Sequence, residues 1–252
     1  MTLLKAYYDA SGSQSDESEP LAVAGVATTT AQWDALLADW KKVLRDYRVP
    51  HMHMADFNAS SRAFSQGWKG DERKRIAFLG RLAEALESRV QQAYVIDIRP
   101  ADFRAVDREY RITTTDFWVT PYMFAATICV EAIEAWFNGS KGTNVAHSIV
   151  HIFEKGDGGQ GPLAELVRKR GVPVTIVPKH GRKAELAFQA VDCIANEYRA
   201  LARRDDKMIK TLPPFLAALS SAIPIRSLTM SRDALSAFCR DHPTSFPARN
   251  GE

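Results

Sequence analysis

The sequence predicts an α/β domain, and three observations carry that prediction. Short apolar runs rich in β-branched and aromatic residues open the chain at 3–8 and 21–27, and return at 91–98, 147–154 and 172–177. Between them, apolar residues repeat at helical spacing over 31–47, 71–87 and 121–137. The last third then alternates strand, helix, strand, helix, with connections short enough for one sheet. Composition agrees: 252 residues with 46% apolar and 25% charged suit one large domain, or a domain with an appendage. Disorder and coiled coil are excluded as whole-chain answers.

Taken in order, 3–8 (LLKAYY) reads as a strand ending in the turn Asp9-Ala10-Ser11-Gly12-Ser13. Residues 14–20 (QSDESEP) are polar and acidic, as an exposed hairpin connection would be, and 21–27 (LAVAGVA) is the returning strand. Thr30 is placed to cap a helix over 31–47, whose Trp33, Leu36, Leu37, Trp40, Val43 and Leu44 share one face. Residues 51–70 read as irregular. A helix over 71–87 and a strand over 91–98 follow, then Pro100 and a loop to Thr115 before the apolar helix 121–137. The strand 147–154 leads into a glycine loop, Gly156 to Gly161. A short helix over 162–170 has proline at its tolerated first position. The strand 172–177 and the helix 183–204 complete the order. Pro213, Pro214, Pro224, Pro243 and Pro247 mark 205–252 as a C-terminal appendage with one or two short helices, beyond a main domain spanning 1–204.

Several function classes fall away. Lys+Arg 33 against Asp+Glu 30 gives a net charge of +3, too small to imply a nucleic-acid partner without local clustering. Cys129, Cys193 and Cys239 are scattered and odd in number, which disfavours a disulfide framework and a zinc-thiolate site. No apolar run approaches the roughly 18–20 residues of a membrane span. Lys5 and Asp9 stand where a signal peptide would have its apolar core, so the chain is expected to be cytoplasmic. There is no P-loop, dinucleotide fingerprint or nucleophile elbow.

The candidate chemistry lies in carboxylates, histidines and a basic stretch. Asp9 ends an apolar strand, where a carboxylate can ligate Mg²⁺ or Mn²⁺, or simply form a turn with its own backbone. Glu154 shares a strand side with Val150 and Ile152, where an acid costs desolvation unless a cation or donor meets it; past the strand end it would be solvated. Glu185, Gln189, Asp192 and Asn196 line one helix face opposite an apolar stripe, so amphipathicity assigns them to solvent unless a site borders the helix. His51, His53 and Asp56 have the spacing of a zinc element, with His147 or His151 as a further ligand. Arg168, Lys169, Arg170, Lys179, Arg182 and Lys183 form an acid-free stretch. It suits a phosphate backbone, or is a basic solvated face.

The motif Tyr8-Asp9-Ala10-Ser11-Gly12, paired with Gln189-Ala190-Val191-Asp192-Cys193-Ile194-Ala195, resembles the domain of unknown function 3800 family. That family has an N-terminal D-E-S-G strand end and a late Q-x-A-D-x-I-A helix. The resemblance covers roughly residues 5–204 and includes a central histidine segment at His51–Phe57. Ala10 stands where the family has an acid, which removes one potential ligand, and Val191 replaces an alanine. The resemblance implies a ribonuclease H-like mixed central sheet flanked by helices, with a helical insertion and a C-terminal appendage. By position it implies Asp9, Glu154 and Asp192 as metal-binding carboxylates, bordered by Asp56 or His53.

The expected function is a divalent-metal-dependent phosphodiesterase or nuclease acting on RNA or DNA. Two Mg²⁺ or Mn²⁺ ions about 3.5–4 Å apart would activate water and hold the scissile phosphate. His53 or Lys183 would assist proton transfer or hold phosphate. The alternative is a non-catalytic module on the same fold, binding nucleic acid or a protein partner. A zinc hydrolase using His51, His53 and Asp56 is a third reading. A homo-oligomer through the apolar 121–137 helix or the 205–252 appendage is also compatible with the sequence.

Overall fold

Leu21–Thr29 (β2) buries all but its last side chain, and Leu3–Ser11 (β1) alternates toward both covered faces with its centre buried, because helices cover both sides of the sheet. The structure, a computed structural model, describes residues 3–114, 120–139, 148–155, 159–178, 182–204, 212–219 and 223–242. β1 and β2 pair antiparallel, with Tyr8 opposite Gly25 and Asp9 opposite Ala24. Gly25 is required by packing: a Cβ there would lie 2.6 Å from the Tyr8 ring and 2.9 Å from Ile133.

The next helix, α1 (Thr30–Asp46), is capped one residue earlier than expected. Thr29 is extended and its hydroxyl accepts from Gln32 N, whereas Thr30 donates its hydroxyl to the Leu3 carbonyl. Residues 51–70, read as irregular, contain the one-turn helix α2 (Met54–Asn58) and a 3-10 turn at Arg62–Phe64. Both are too short to show a helical period. Phe57, Phe64, Trp68 and Phe78 hold this segment in one aromatic cluster. Helix α3 (Glu72–Glu87) and strand β3 (Gln92–Ile98) fall where expected. The loop expected up to Thr115 is instead mostly helix α4 (Pro100–Tyr110). Pro100 occupies its first turn, and Phe103, Val106 and Tyr110 are buried at spacings of three and four.

Helix α5 (Pro121–Gly139), strand β4 (Ser148–Glu154), helix α6 (Gln160–Lys169), strand β5 (Val174–Val177) and helix α7 (Arg182–Ala202) complete the expected order. The segment expected as an appendage holds α8 (Pro214–Leu219), β6 (Ile225–Met230) and α9 (Arg232–Asp241). Its strand joins the main sheet, parallel to β3.

The result is a mixed six-stranded sheet in the order β5-β4-β1-β2-β3-β6. β1, β2 and β3 form an antiparallel meander, β4 is parallel to β1, and β5 is parallel to β4. Only β2 therefore runs against the others, and the carboxyl ends of five strands lie along one edge.

Helices cover both faces. On one, residues of α1, α3, α7 and α8 pack against Tyr7, Ala24, Val26, Val95 and Ile152. On the other, α4, α5, α6 and α9 pack against Tyr8, Val23, Ile96 and Phe153. The apolar helix α5 has Phe124, Ala125, Ala126, Val130 and Ile133 fully buried within the chain. Its apolar character is thus explained by the core of the chain itself. Among the described residues no helix is long and apolar enough to cross a membrane.

Candidate functional site

Strand alternation decides which carboxylates share a face. Tyr8 and Phe153 are partners in the β1–β4 ladder, and their rings stack at 4.6 Å in the α5-side core. The next residue on each strand, Asp9 and Glu154, therefore turns to the opposite face, beneath α7. Both are half-buried at the carboxyl ends of neighbouring parallel strands. Ligands of open α/β sheets bind outside such ends. Glu154 continues the Val150 and Ile152 side as expected, opposite Val177 of β5.

Asp192 is brought to the same level by the way α7 lies along β1. Phe188 meets Tyr7 edge to face at 5.5 Å, and Asn196 Nδ2 donates to Ser11 Oγ at 3.2 Å. Eight helical residues rise ~12 Å and four strand residues ~13 Å, so the midpoints Asp192 and Asp9 stand at matching heights. Gly12 continues the alignment: its φ of +105° suits glycine, and a Cβ would strike Pro20 O and Arg199 Nε.

The polar stripe of α7 does not face solvent, which overturns the amphipathic default. Gln189 is buried, and its Oε1 accepts from Trp40 Nε1 at 3.2 Å and Met52 N at 2.9 Å. Asp192 Oδ2 accepts from Met54 N at 2.8 Å, and Asn196 Oδ1 from Asn58 Nδ2 at 3.0 Å. Residues 52–58 lie over the stripe, so its acceptors meet the backbone donors of the buried Met52 and Met54, which would otherwise go unpaired, and the exposed Asn58 amide. The Glu185 side chain lies outside the described residues.

The histidine segment is held on α7 by these bonds. His53 is half exposed, its Nδ1 3.1 Å from Asp56 Oδ2, and Arg62 Nη1 approaches the same oxygen at 3.5 Å. Neither approach has hydrogen-bond geometry. Asp56 is buried, and its other oxygen accepts from Ser61 Oγ at 3.3 Å, so it organises the turn after α2. His151 cannot complete a zinc set with His51 and His53. It points into the α5-side core, with Nδ1 2.7 Å from the Tyr8 hydroxyl. His147 lies outside the described residues. Among the described residues no three His, Cys, Asp or Glu side chains approach closely enough to hold one ion.

Two further acids stand out that the sequence reading passed over. Asp97, on the α7 side of β3, is buried and accepts from Thr229 Oγ1 at 2.8 Å; burial raises its pKa. Glu197 occupies a position of α7 that aligns with Ala190, Ile194 and Leu201, the apolar stripe. Burial pushes its carboxyl up to about 7, against the pull of Arg204. An acid in register with an apolar stripe or strand face is the signal that finds both. Cys193, fully buried on α7, has its thiol raised by burial and then by Asp192, Glu197 and Asp9, a mark of how these carboxylates gather around α7.

The basic stretch is less free than its composition suggests. Arg170 pairs with Glu131 at 2.7 Å and Lys169 with Glu165 at 3.5 Å, while Arg168 is exposed. Lys179 and the side chains of Arg182 and Lys183 lie outside the described residues. A second arginine cluster sits beside the site: Arg199 and Arg203 pair with Glu19, and Arg104 with Glu17. The acidic hairpin connection is thus pinned against the end of α7. No protein-family model, curated protein or solved structure matches this chain.

Proposed function

We propose that the protein is a divalent-metal-dependent phosphodiesterase acting on RNA or DNA, on a ribonuclease H-like sheet related to the domain of unknown function 3800 family. One observation carries this reading: Asp9 and Glu154 end adjacent parallel strands on the face that α7 covers, with Asp192 level with Asp9. The antiparallel meander followed by two parallel strands beyond β1 supports the fold assignment.

The donor chemistry fits Mg²⁺ or Mn²⁺, hard ions that take carboxylate oxygens. Asp9, Glu154 and Asp192 would hold the ions, which when bound supply Lewis-acid stabilisation of a phosphodiester and an activated water. Among the described residues no three such acids meet at one point, so these three would hold ions only with some movement of α7 or of the strand ends. Residues 52–54, tied to Gln189 and Asp192, are the part of the chain best placed to follow that movement. His53, half exposed within this segment, would carry the proton in this reading, and Arg168 would meet substrate phosphate.

Cleavage of labelled RNA and DNA with Mg²⁺ or Mn²⁺, with a chelator control, tests the proposal. Activity should vanish with chelator and fall at least ~10³-fold in Asp9→Asn and Asp192→Asn. Turnover retained in both folded variants would sink it. A non-catalytic nucleic-acid-binding module is the second reading. It is favoured by Asp192's role in anchoring Met54 and by Ala10 in place of an acid. Metal-independent, salt-sensitive binding without cleavage would select it.

A further inference from the structure

A cleft of about 250 Å³ opens one helical turn beyond Asp192, between α2, α3 and α7. Phe57, Asn58, Arg75, Ile76, Glu197 and Arg204 are among its lining residues. Glu197 is only 7% exposed, and among the described residues no hydrogen bond to its carboxyl is found. Its oxygens are not sealed in the core; the residue lines the cleft, where a donor would offset part of the desolvation of its carboxyl. Ile76 presents a large apolar side chain, 52% exposed, to the same cleft. A ligand with an apolar ring face and a donor edge would meet both.

We propose that this cleft binds a guanine base, with Glu197 accepting from its Watson–Crick edge. The inference rests on the nucleic-acid reading above and names the base read beside the cleavage site. A carboxylate is an acceptor with two oxygens side by side. Guanine presents two adjacent donors, N1–H and the N2 amino group, that match it. Adenine and cytosine set an acceptor next to their amino group, and uracil flanks one N–H with two carbonyls, so each places an oxygen or lone pair against the carboxylate. The volume lies below the ~300–1,000 Å³ of pockets for drug-sized ligands and suits one ring system. Ile76 and Leu79 offer an apolar wall, and the Arg75 guanidinium lies 3.9 Å over the Phe57 ring. Unstacked bases are commonly held against such walls while their edges are read. Arg75 is engaged by Phe57 O, Ser60 Oγ and Glu72 and so stiffens the cleft wall, while Arg204 brings positive charge that complements a nucleotide phosphate. Asn58 and Asn196, bonded to each other, lead from the cleft to Ser11 at the end of β1.

The test is titration of the intact protein with GMP, AMP, CMP and UMP, followed by calorimetry. GMP should bind at least tenfold tighter than the other three. Glu197→Gln, which keeps the shape but turns one acceptor into a donor, should lose at least tenfold in GMP affinity. Ile76→Arg, on an exposed position that does not threaten folding, should block the cleft and weaken GMP equally. Asp9→Asn should bind GMP as the wild type does. GMP affinity should also rise between pH 6 and 8 as Glu197 ionises, with Arg204, Arg75 and Glu72 the charged neighbours that modulate it. Equal binding of all four nucleotides, preference for another base, or an unaffected Glu197→Gln overturns the proposal. Cleavage without guanine binding removes this inference alone, and guanine binding without cleavage removes the nuclease reading alone.

Discussion

Each face of the sheet buries an apolar core, but the two treat polar groups in opposite ways. Under α5 the core is almost wholly apolar, and a buried titratable pair within it is left without a hydrogen bond between its members. His151 is fully buried, bonded through Nδ1 to Tyr8, while its Nε2 and the Glu134 Oε1 stand 3.5 Å apart with neither hydrogen-bonded. Burial lowers the His151 pKa to about 4 and raises that of Glu134. Under α7, Gln189, Asp192 and Asn196 each accept from a donor on residues 40–58. The difference teaches where chemistry can be placed. A face whose polar groups are answered by a separate, loop-borne segment can rearrange around a ligand, whereas one that is close-packed cannot.

Side-chain deletion should separate the faces most sharply. Phe124→Ala, in the α5 core, should cost about 3–5 kcal/mol in denaturant unfolding. Asp192→Asn should cost under ~1 kcal/mol, because the amide oxygen still accepts from Met54 N. If the two losses were similar, the α7 face would be as rigid as the other and the contrast would fail.

Stability against pH comes next, and here the faces pull in opposite directions. His151 falls from its ordinary 6.5 to about 4, so its contribution is complete above 6.5 and is lost as pH falls through 4. That loss is on the order of 3 kcal/mol. Glu197 rises from 4.5 to about 7, so its contribution is complete below 4.5 and is lost as pH rises through 7, by a similar amount. Between pH 4.5 and 6.5 these two contributions cancel, so the wild type keeps the fall with rising pH that the raised acids Asp97 and Glu134 add. Relative to the wild type, Glu197→Gln should tilt that stretch toward a rise with pH, and His151→Gln should steepen the fall. A variant profile parallel to that of the wild type would show that the substituted group keeps its ordinary pKa.

Smaller effects test the joints of the α7 face. Gln189→Ala strips an acceptor from Trp40 and Met52 and should cost about 1–3 kcal/mol. It should also raise hydrogen exchange at residues 52–54. Arg203→Ala, at an exposed ion pair with Glu19, should cost less than ~1 kcal/mol and matter less still in high salt.

Much of the fold was readable because long-period signals survive in sequence. Strands buried on both faces gave apolar runs, and α1, α3, α5 and α7 showed helical spacing. What escaped was short or context-bound. α2 is a single turn, and α4 hides behind Pro100, which reads as a breaker but sits in a first turn. β6 (IRSLTM) carries four exposed residues in a row, so its pairing with β3 leaves little trace in hydropathy. Among candidate site residues, Asp9 and Glu154 were legible because an acid closing an apolar strand is anomalous. Asp97, next to the end of β3, and Glu197, within α7, carry the same anomaly. His151 was visible as a histidine but not as a core residue, since its side of β4 depends on which helix covers it.

By itself, the sequence determined the α/β class, most of the elements in order, and the acids that interrupt apolar faces, because periodicity and desolvation cost are local properties. Only the tertiary structure decided that β1 and β4 run parallel with Asp9 and Glu154 on one face. It alone turned the polar stripe of α7 inward and left Glu197 lining a cleft. Those outcomes depend on which surfaces meet. A polar stripe is a solvent face or a buried seam according to whether another segment, here residues 52–58, folds over it with matching donors.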